Sequence, residues 1–155
     1  MAEFTHIQHD RAQMVDISGK SDVTREAVAS GRIYLKPETL AAIRGGTVVK
    51  GNVLATARVA ATMAVKNTAT IIPMCHPIPI SSITVDFVDG DGFIEASVVV
   101  KMTGKTGVEM EALTGVSVAL LTVWDMVKSA EKDKDGQYPV TRITDIRVVE
   151  KKKGK

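Results

Sequence analysis

Two runs of alternating residues, joined by a short glycine-containing turn, constrain the fold of this chain most strongly. Residues 82–88 place Ile83, Val85 and Phe87 on one face, and residues 93–102 repeat the same two-residue period. The turn between them reads DGDG, and aspartate–glycine pairs are typical of β-hairpins. A period of two predicts strands with one buried face. The chain is therefore expected to contain an antiparallel sheet.

Helical features lie on both sides of this hairpin. Lys36-Pro37-Glu38 is expected to open a short helix that ends before a glycine pair, because proline suits a first turn and glycine a helix end. An alanine-rich helix is predicted at about 52–66, with Asn52 as its cap. Apolar residues at helical spacing predict a long helix at about 108–129. Three prolines within 68–80 exclude a regular helix there.

Two further strands complete the predicted order β-α-α-β-β-α-β. They are expected at 24–35 and 138–149. Such an order predicts an α+β sandwich of ferredoxin-like layout, with an antiparallel or mixed sheet covered by helices. Residues 1–22 show no sustained period and are expected to form a flexible arm, followed by a single domain at 23–150 and a basic tail at 151–155.

The charge of the chain argues against a general affinity for nucleic acid. The formal net charge is +2, and removing the four positive charges of the tail leaves −2. A nearly neutral body lacks the basic surface of nucleic-acid-binding domains. The tail is expected to be solvated and disordered. A nucleic-acid binder that uses this tail stays open as an alternative, and it would show a steep salt dependence.

The cysteine count and the hydropathy indicate where the protein works. Cys75 is the only cysteine, so no intramolecular disulfide can form, which suits a reducing compartment. No apolar run approaches the roughly 20 residues of a bilayer span. The N-terminus lacks a secretory apolar core. A soluble cytoplasmic protein without a membrane partner is predicted.

The segment TGKTGVEMEALTG, residues 103–115, contains Gly104-Lys105-Thr106, which is similar to the end of a phosphate-binding loop. The Walker pattern fails, because it requires a glycine where Val99 stands. A glycine-flanked turn at a helix start can still bind an anion. Glu109 and Glu111 lie in that first turn, where carboxylates interact favourably with the helix dipole. Anion binding and simple helix initiation both remain open for this segment.

The far end of the same helix holds Asp125 and Lys128, which share a face because they are three residues apart. They could form an ordinary surface ion pair, or they could serve chemistry. Glu111 and Asp125 lie about 21 Å apart along one helix. One chain therefore cannot bring both to a small reacting centre, and either they serve separate purposes or a neighbouring subunit closes the gap.

Cys75 and His76 occupy a proline-rich loop, IIPMCHPIP. Adjacent residues of an extended chain point to opposite faces, which argues against a nucleophile–base pair. Spacing typical of a zinc site is missing, and His6 and His9 fall in the arm. A bare loop and a ligand-contacting histidine remain as alternatives, and no metal site is expected.

Several cations are ambiguous when taken singly. Lys50 precedes a helix start, where its charge is unfavourable unless an anion lies nearby. Arg25, Arg58 and Lys66 are each expected to be solvated charges.

Taken together, these segments resemble a known family. VDIS-K, TREA, VVKGNVLATAR, IPMCHPI, TGKTGVEMEALT and WDMVKSAEKD occur in this order over about residues 14–135. The chain is similar to the molybdenum cofactor biosynthesis protein C family of cyclic pyranopterin monophosphate synthases. Many members of the family have an aspartate at the position of Asn52. Asparagine caps a helix equally well, but any role of the aspartate charge is in doubt for this chain.

The resemblance implies an activity and an assembly. The expected reaction converts 3′,8-cyclo-7,8-dihydroguanosine 5′-triphosphate into cyclic pyranopterin monophosphate and pyrophosphate. A radical-SAM GTP cyclase would supply the substrate. The implied assembly is a homohexamer, a trimer of dimers, with active sites between subunits. No cofactor is expected, and any magnesium would arrive with the triphosphate.

The resemblance also implies roles for individual residues. The residues that match the family's catalytic positions are Lys50, Asp125 and Lys128. The residues expected to contact substrate are Met74, Cys75, His76, Glu109, Met110, Glu111, Arg25 and Lys66, the last two through its phosphates. A carboxylate flanked by lysines can move protons, and a lysine near other cations titrates closer to neutrality. The alternative from another class is a non-catalytic nucleotide-binding or assembly module.

Overall fold

The computed structural model describes residues 4–8 and 10–155. Near the N-terminal end, two short strands of two residues each, β1 (Ile7–Gln8) and β2 (Arg11–Ala12), pair antiparallel. His9 lies outside the described residues, so the expectation placed on it has no structural counterpart.

A four-stranded antiparallel sheet forms the body of the molecule. Its strands are β3 (Val23–Tyr34), β4 (Ile80–Asp89), β5 (Phe93–Gly104) and β6 (Arg142–Lys153). Their spatial order is β4-β5-β3-β6. The first and third strands of the body therefore lie at the centre, as in a ferredoxin-like sheet. The predicted α+β class is confirmed.

In the described part of the chain, four helices accompany the sheet. They are α1 (Pro37–Gly45), α2 (Val53–Lys66), α3 (Thr68–Ile71) and α4 (Glu109–Glu131). Asn52 caps α2 as predicted, since its side-chain oxygen accepts from the N–H of Ala55 at 2.9 Å. Gly46 ends α1 with a φ of 68°, a left-handed conformation that glycine adopts without strain.

The core lies between one face of the sheet and the helices α2 and α4. On β3 this face is made of small residues, including Ala27 and Ala29, which are fully buried. On α4 the buried residues include Val116 and Leu120. Within the described residues, α4 is the one helix long and apolar enough to cross a bilayer, but half of its most apolar stretch is buried inside the fold. Such burial is typical of a core helix.

The segment 68–80 is not a regular helix, as its prolines predicted: it has one helical turn, α3, before its first proline, and the hydroxyl of Thr68 donates back to the carbonyl of Ala64 at 3.0 Å. One expectation was wrong. The final lysines are not a disordered tail, because β6 starts at Arg142 and continues through Lys153. Pairing of Arg25 with Lys153 holds that end against β3.

Candidate active site

Lys50, Asp125 and Lys128 meet at the C-terminal end of α4. The Lys128 ammonium donates to Oδ1 of Asp125 at 2.7 Å, and the Lys50 ammonium lies 3.3 Å from Oδ2. Lys50 also donates to the Asp125 carbonyl at 3.0 Å. These three residues, called the lysine–aspartate cluster below, are all partly exposed. The three residues predicted to be catalytic are thus brought together.

Two elements position this cluster. Asp125 and Lys128 share one face of α4 because they lie three residues apart. Lys50 comes from the loop between α1 and α2, where Gly51 takes a φ of 107° that a side chain would strain. The charge of Lys50 before a helix start is unfavourable without a nearby anion, and the Asp125 carboxylate is such an anion.

The charges of the cluster stabilise one another. The hydrogen bonds from Lys128 and Lys50 lower the pKa of Asp125 below its usual value. The hydrogen bond from Asp125 raises the pKa of Lys128. This direction is opposite to the one expected from a neighbouring cation, because the hydrogen bond and the charge of Asp125 have the largest effect on Lys128. In the free protein, Asp125 is therefore ionised and Lys128 is protonated at neutral pH.

A second group of predicted residues borders a pocket at the opposite end of α4. This pocket, called the loop pocket, has a volume of about 270 Å³. Its lining from the loop after α3 and from the start of α4 includes Met74, Cys75, His76, Glu109, Met110 and Glu111. All six were predicted to contact substrate, and the fold places them around one space.

The two glutamates of the loop pocket have different electrostatic environments. Glu111 is only 4% exposed, and burial raises its pKa, with a smaller contribution from the charge of Glu109. Burial also raises the pKa of Glu109, but a hydrogen bond from Lys151 and one from the helix backbone outweigh it, so this pKa is lowered. Glu111 therefore takes up a proton at a higher pH than Glu109, and the pair can hold a donor beside an acceptor.

Cys75 and His76 both border the loop pocket, and His76 also borders the adjoining cavity beside Lys66. Nε2 of His76 lies 2.7 Å from the carbonyl oxygen of Val15. A carbonyl only accepts, so this nitrogen carries a proton and donates it. Burial raises the pKa of the Cys75 thiol, and the charge of Glu111 adds to the effect. Cys75 is thus a poor nucleophile at neutral pH.

The two predicted phosphate contacts lie beside the loop pocket. Arg25 is 9% exposed, and its Nε donates to the carbonyl of Gly104 at 3.1 Å. The expectation of a solvated charge was wrong for Arg25, which is buried and whose charge helps to lower the pKa of Glu109. Lys66 is exposed and borders an adjoining cavity of about 130 Å³, which it shares with His76 and Glu111.

Residues of the arm also line the loop pocket. They include Val15, Ile17 and Lys20. Their signal in the sequence was the VDIS-K block, which has no period of its own. Lys151, which contacts Glu109, was missed because the final lysines were expected to be a free tail. Among the described residues, no group of three or more histidine, cysteine or carboxylate side chains could hold a metal ion.

Comparison with known proteins adds independent findings. Residues 14–154 match the MoaC family model. Three curated proteins that the chain resembles carry the name "probable cyclic pyranopterin monophosphate synthase". The protein of Methanoregula boonei is 79% identical and that of Methanosphaerula palustris 68%, over 99% of this chain and 99% and 100% of their own lengths. The protein of Thermococcus kodakarensis is 57% identical over 99% of both chains. The chain therefore belongs to the MoaC family.

Proposed function

We propose that this protein is a cyclic pyranopterin monophosphate synthase. Its substrate would be 3′,8-cyclo-7,8-dihydroguanosine 5′-triphosphate, and its products cyclic pyranopterin monophosphate and pyrophosphate, in an early step of molybdenum cofactor biosynthesis. The observation that supports this proposal best is the contact of both Lys50 and Lys128 with Asp125. Lys50 and Asp125 lie 75 positions apart in the chain, and the fold unites them in one cluster.

The lysine–aspartate cluster would supply acid–base chemistry. Rearranging a purine-derived ring requires protons to move on and off nitrogen and oxygen atoms. Lys128 is protonated at neutral pH like an ordinary lysine, and Asp125 raises its pKa further, so in the free protein it carries a proton that it could donate. Asp125 holds both ammonium groups in place through hydrogen bonds to its two carboxylate oxygens. A positioned proton donor contributes about 10²–10⁴-fold to a rate.

The loop pocket would bind the substrate. Met74, Cys75 and His76 would contact the ring system from one side, and Met110 with the two glutamates from the other. Arg25 and Lys66 would face the phosphates. Cations at that position stabilise the charge that develops as pyrophosphate leaves and the cyclic phosphate closes. Any magnesium would enter with the triphosphate.

The assembly would unite the two regions. Asp125 and Glu111 lie about 21 Å apart along α4, so one copy of the chain cannot place both on one substrate. We propose a homohexamer, a trimer of dimers, in which the lysine–aspartate cluster of one subunit faces the loop pocket of its neighbour. The protein would act in the cytoplasm without nucleic acid or membrane, and a radical-SAM GTP cyclase would deliver its substrate.

The test is turnover of the cyclised substrate, followed by pyrophosphate release. Lys50→Ala and Asp125→Ala should each lower kcat by about 100-fold or more. Lys134→Ala is the matched control, because Lys134 is an exposed lysine in the loop between α4 and β6. It should leave the rate within about twofold of wild type.

Two outcomes would contradict the proposal in different ways. Unchanged release in both Lys50→Ala and Asp125→Ala would remove the catalytic roles of these residues. Tight binding of the substrate without any pyrophosphate release by the wild-type protein would favour a non-catalytic nucleotide-binding module instead.

A further inference from the structure

The last strand brings a lysine to the loop pocket. β6 pairs with β3 so that Lys151 lies opposite Ala27 and Lys153 opposite Arg25. Beyond the strand, the backbone N–H of Gly154 donates to the carbonyl of Thr24 at 2.7 Å. Residues before and after Lys151 are paired with β3. This pairing fixes the face of the sheet to which the Lys151 side chain projects.

The register decides which face of the sheet each lysine occupies. Residues directly opposite each other in antiparallel strands project to the same face. Ala27 is fully buried under the helices, so Lys151 projects towards the helices, and its ammonium contacts the carboxylate of Glu109. Lys152 projects to the other face, where its ammonium lies 3.7 Å from Glu26.

The loop pocket needs a positive charge at this point if it takes a triphosphate. Glu109 and Glu111 both border it, and two carboxylates beside a polyanion repel it. Glu109 stays ionised at neutral pH, because its pKa is lowered. Its uncompensated charge would therefore oppose binding.

We propose that Lys151 is a positioning residue of the substrate site, which holds Glu109 in place and cancels its charge so that the loop pocket accepts a polyanion. This inference rests on the proposed function, since it takes the loop pocket to be the substrate site. The side chain of Lys151 is 53% exposed and that of Glu109 26%. A pair this exposed stabilises a fold little, so its loss affects ligand binding more than folding.

The first experiment compares Lys151→Gln with Lys152→Gln. The control is closely matched: the two lysines are adjacent on one strand and both contact a glutamate, but on opposite faces of the sheet. Lys151→Gln should raise the KM for the cyclised substrate about five- to tenfold, from the loss of one nearby charge, with kcat within about twofold. Lys152→Gln should match wild type in both constants, and Lys151→Arg should restore the KM. Equal effects of Lys151→Gln and Lys152→Gln would overturn the proposal.

The second experiment separates this inference from the proposed function. Binding of inorganic tripolyphosphate, measured by titration calorimetry, needs no turnover. Lys151→Gln should weaken it, and adding Glu109→Gln should restore it, because the pair is then neutral again. If the double variant binds as weakly as Lys151→Gln alone, Lys151 does not act through Glu109. A wild-type protein that binds tripolyphosphate in this pattern but releases no pyrophosphate would contradict only the proposed function.

Discussion

At the residue scale, the buried carboxylate of Glu131 joins three parts of the fold. Glu131 is the last residue of α4, and its side chain is fully buried. It accepts from the backbone N–H of Lys36 at 3.1 Å and from the hydroxyls of Thr39 and Thr141 at 2.5 and 2.8 Å. These partners precede α1, lie within α1 and precede β6. Glu131 therefore fixes the end of α4 against α1, the helix that leads to the loop of Lys50.

Glu131→Ala should lower the free energy of unfolding by about 3–5 kcal/mol, because two buried hydroxyls and one partly buried N–H lose their acceptor. Glu150→Ala is the control, since Glu150 is exposed on β6, and it should change stability by less than about 0.5 kcal/mol. Urea unfolding followed by circular dichroism measures both. Equal stability of the two variants would show that water replaces the lost acceptor.

Cys75 gives a second test at this scale, since it is the only cysteine and alkylation reports on it alone. Burial and the charge of Glu111 raise its pKa, so the thiol stays protonated at neutral pH and should react slowly with iodoacetamide. The reaction should accelerate only as the pH rises beyond the usual thiol range. Glu111→Gln should move this midpoint to lower pH, but only in part, because burial remains.

Glutathione provides the reference thiol, and Glu38→Gln provides a distant carboxylate control. A Cys75 midpoint at or below that of glutathione would contradict the raised pKa. An equal shift in Glu38→Gln and Glu111→Gln would mean that the Glu111 charge has no specific effect on Cys75.

At the scale of elements, local patterns were enough for most of the fold. Alternation specified the β4–β5 hairpin, and Asn52 specified the start of α2. The end of β6 could not be predicted, since Glu150 to Lys153 offer no apolar alternation and the strand continues there only through backbone pairing with β3. The single turn of α3 also escaped prediction, because it is too short to show a helical period.

The candidate site was predictable where its geometry is local. Asp125 and Lys128 share a helix face at a spacing visible in the sequence. The contact of Lys50 with Asp125 depends on how the loop after α1 lies against α4, and only the resemblance to a family pointed to it. The contact of Lys151 with Glu109 depends on strand register, so nothing in the local sequence signalled it.

Gly31 of β3 lies close to side chains of α4. A methyl group added there would lie 2.9 Å from side-chain carbons of Val116, Leu120 and Ile146 at once. Gly31→Ala should therefore destabilise the protein by about 1–3 kcal/mol through overpacking. Gly19→Ala is the matched control, because nothing lies within 4 Å of its added carbon, and its thermal unfolding should stay near that of wild type. If Gly31→Ala unfolds at the wild-type temperature, α4 can move away from the sheet without cost.

At the scale of the whole molecule, α4 has two roles. Its buried face, with Val116 and Leu120, packs in the core, while its two ends support two different sets of polar residues. The loop pocket lies at its first turn and the lysine–aspartate cluster near its last. A rigid helix keeps these sets at a fixed separation, so a shared site requires a second copy of the chain.

Mixed oligomers test this arrangement directly. Asp125→Asn disables the lysine–aspartate cluster and Glu111→Gln alters the loop pocket, so each variant alone should be nearly inactive. If every site takes its two halves from different subunits, oligomers assembled from an equal mixture should regain up to about one quarter of the wild-type rate, since random pairing leaves that share of sites intact.

Subunits are mixed by co-expression with two affinity tags, and doubly tagged oligomers are assayed for pyrophosphate release. Mixing two Asp125→Asn chains with different tags is the control and should restore nothing. If doubly tagged oligomers stay as inactive as the separate variants, no site is completed by halves from two subunits, and the shared-site arrangement would have to be abandoned.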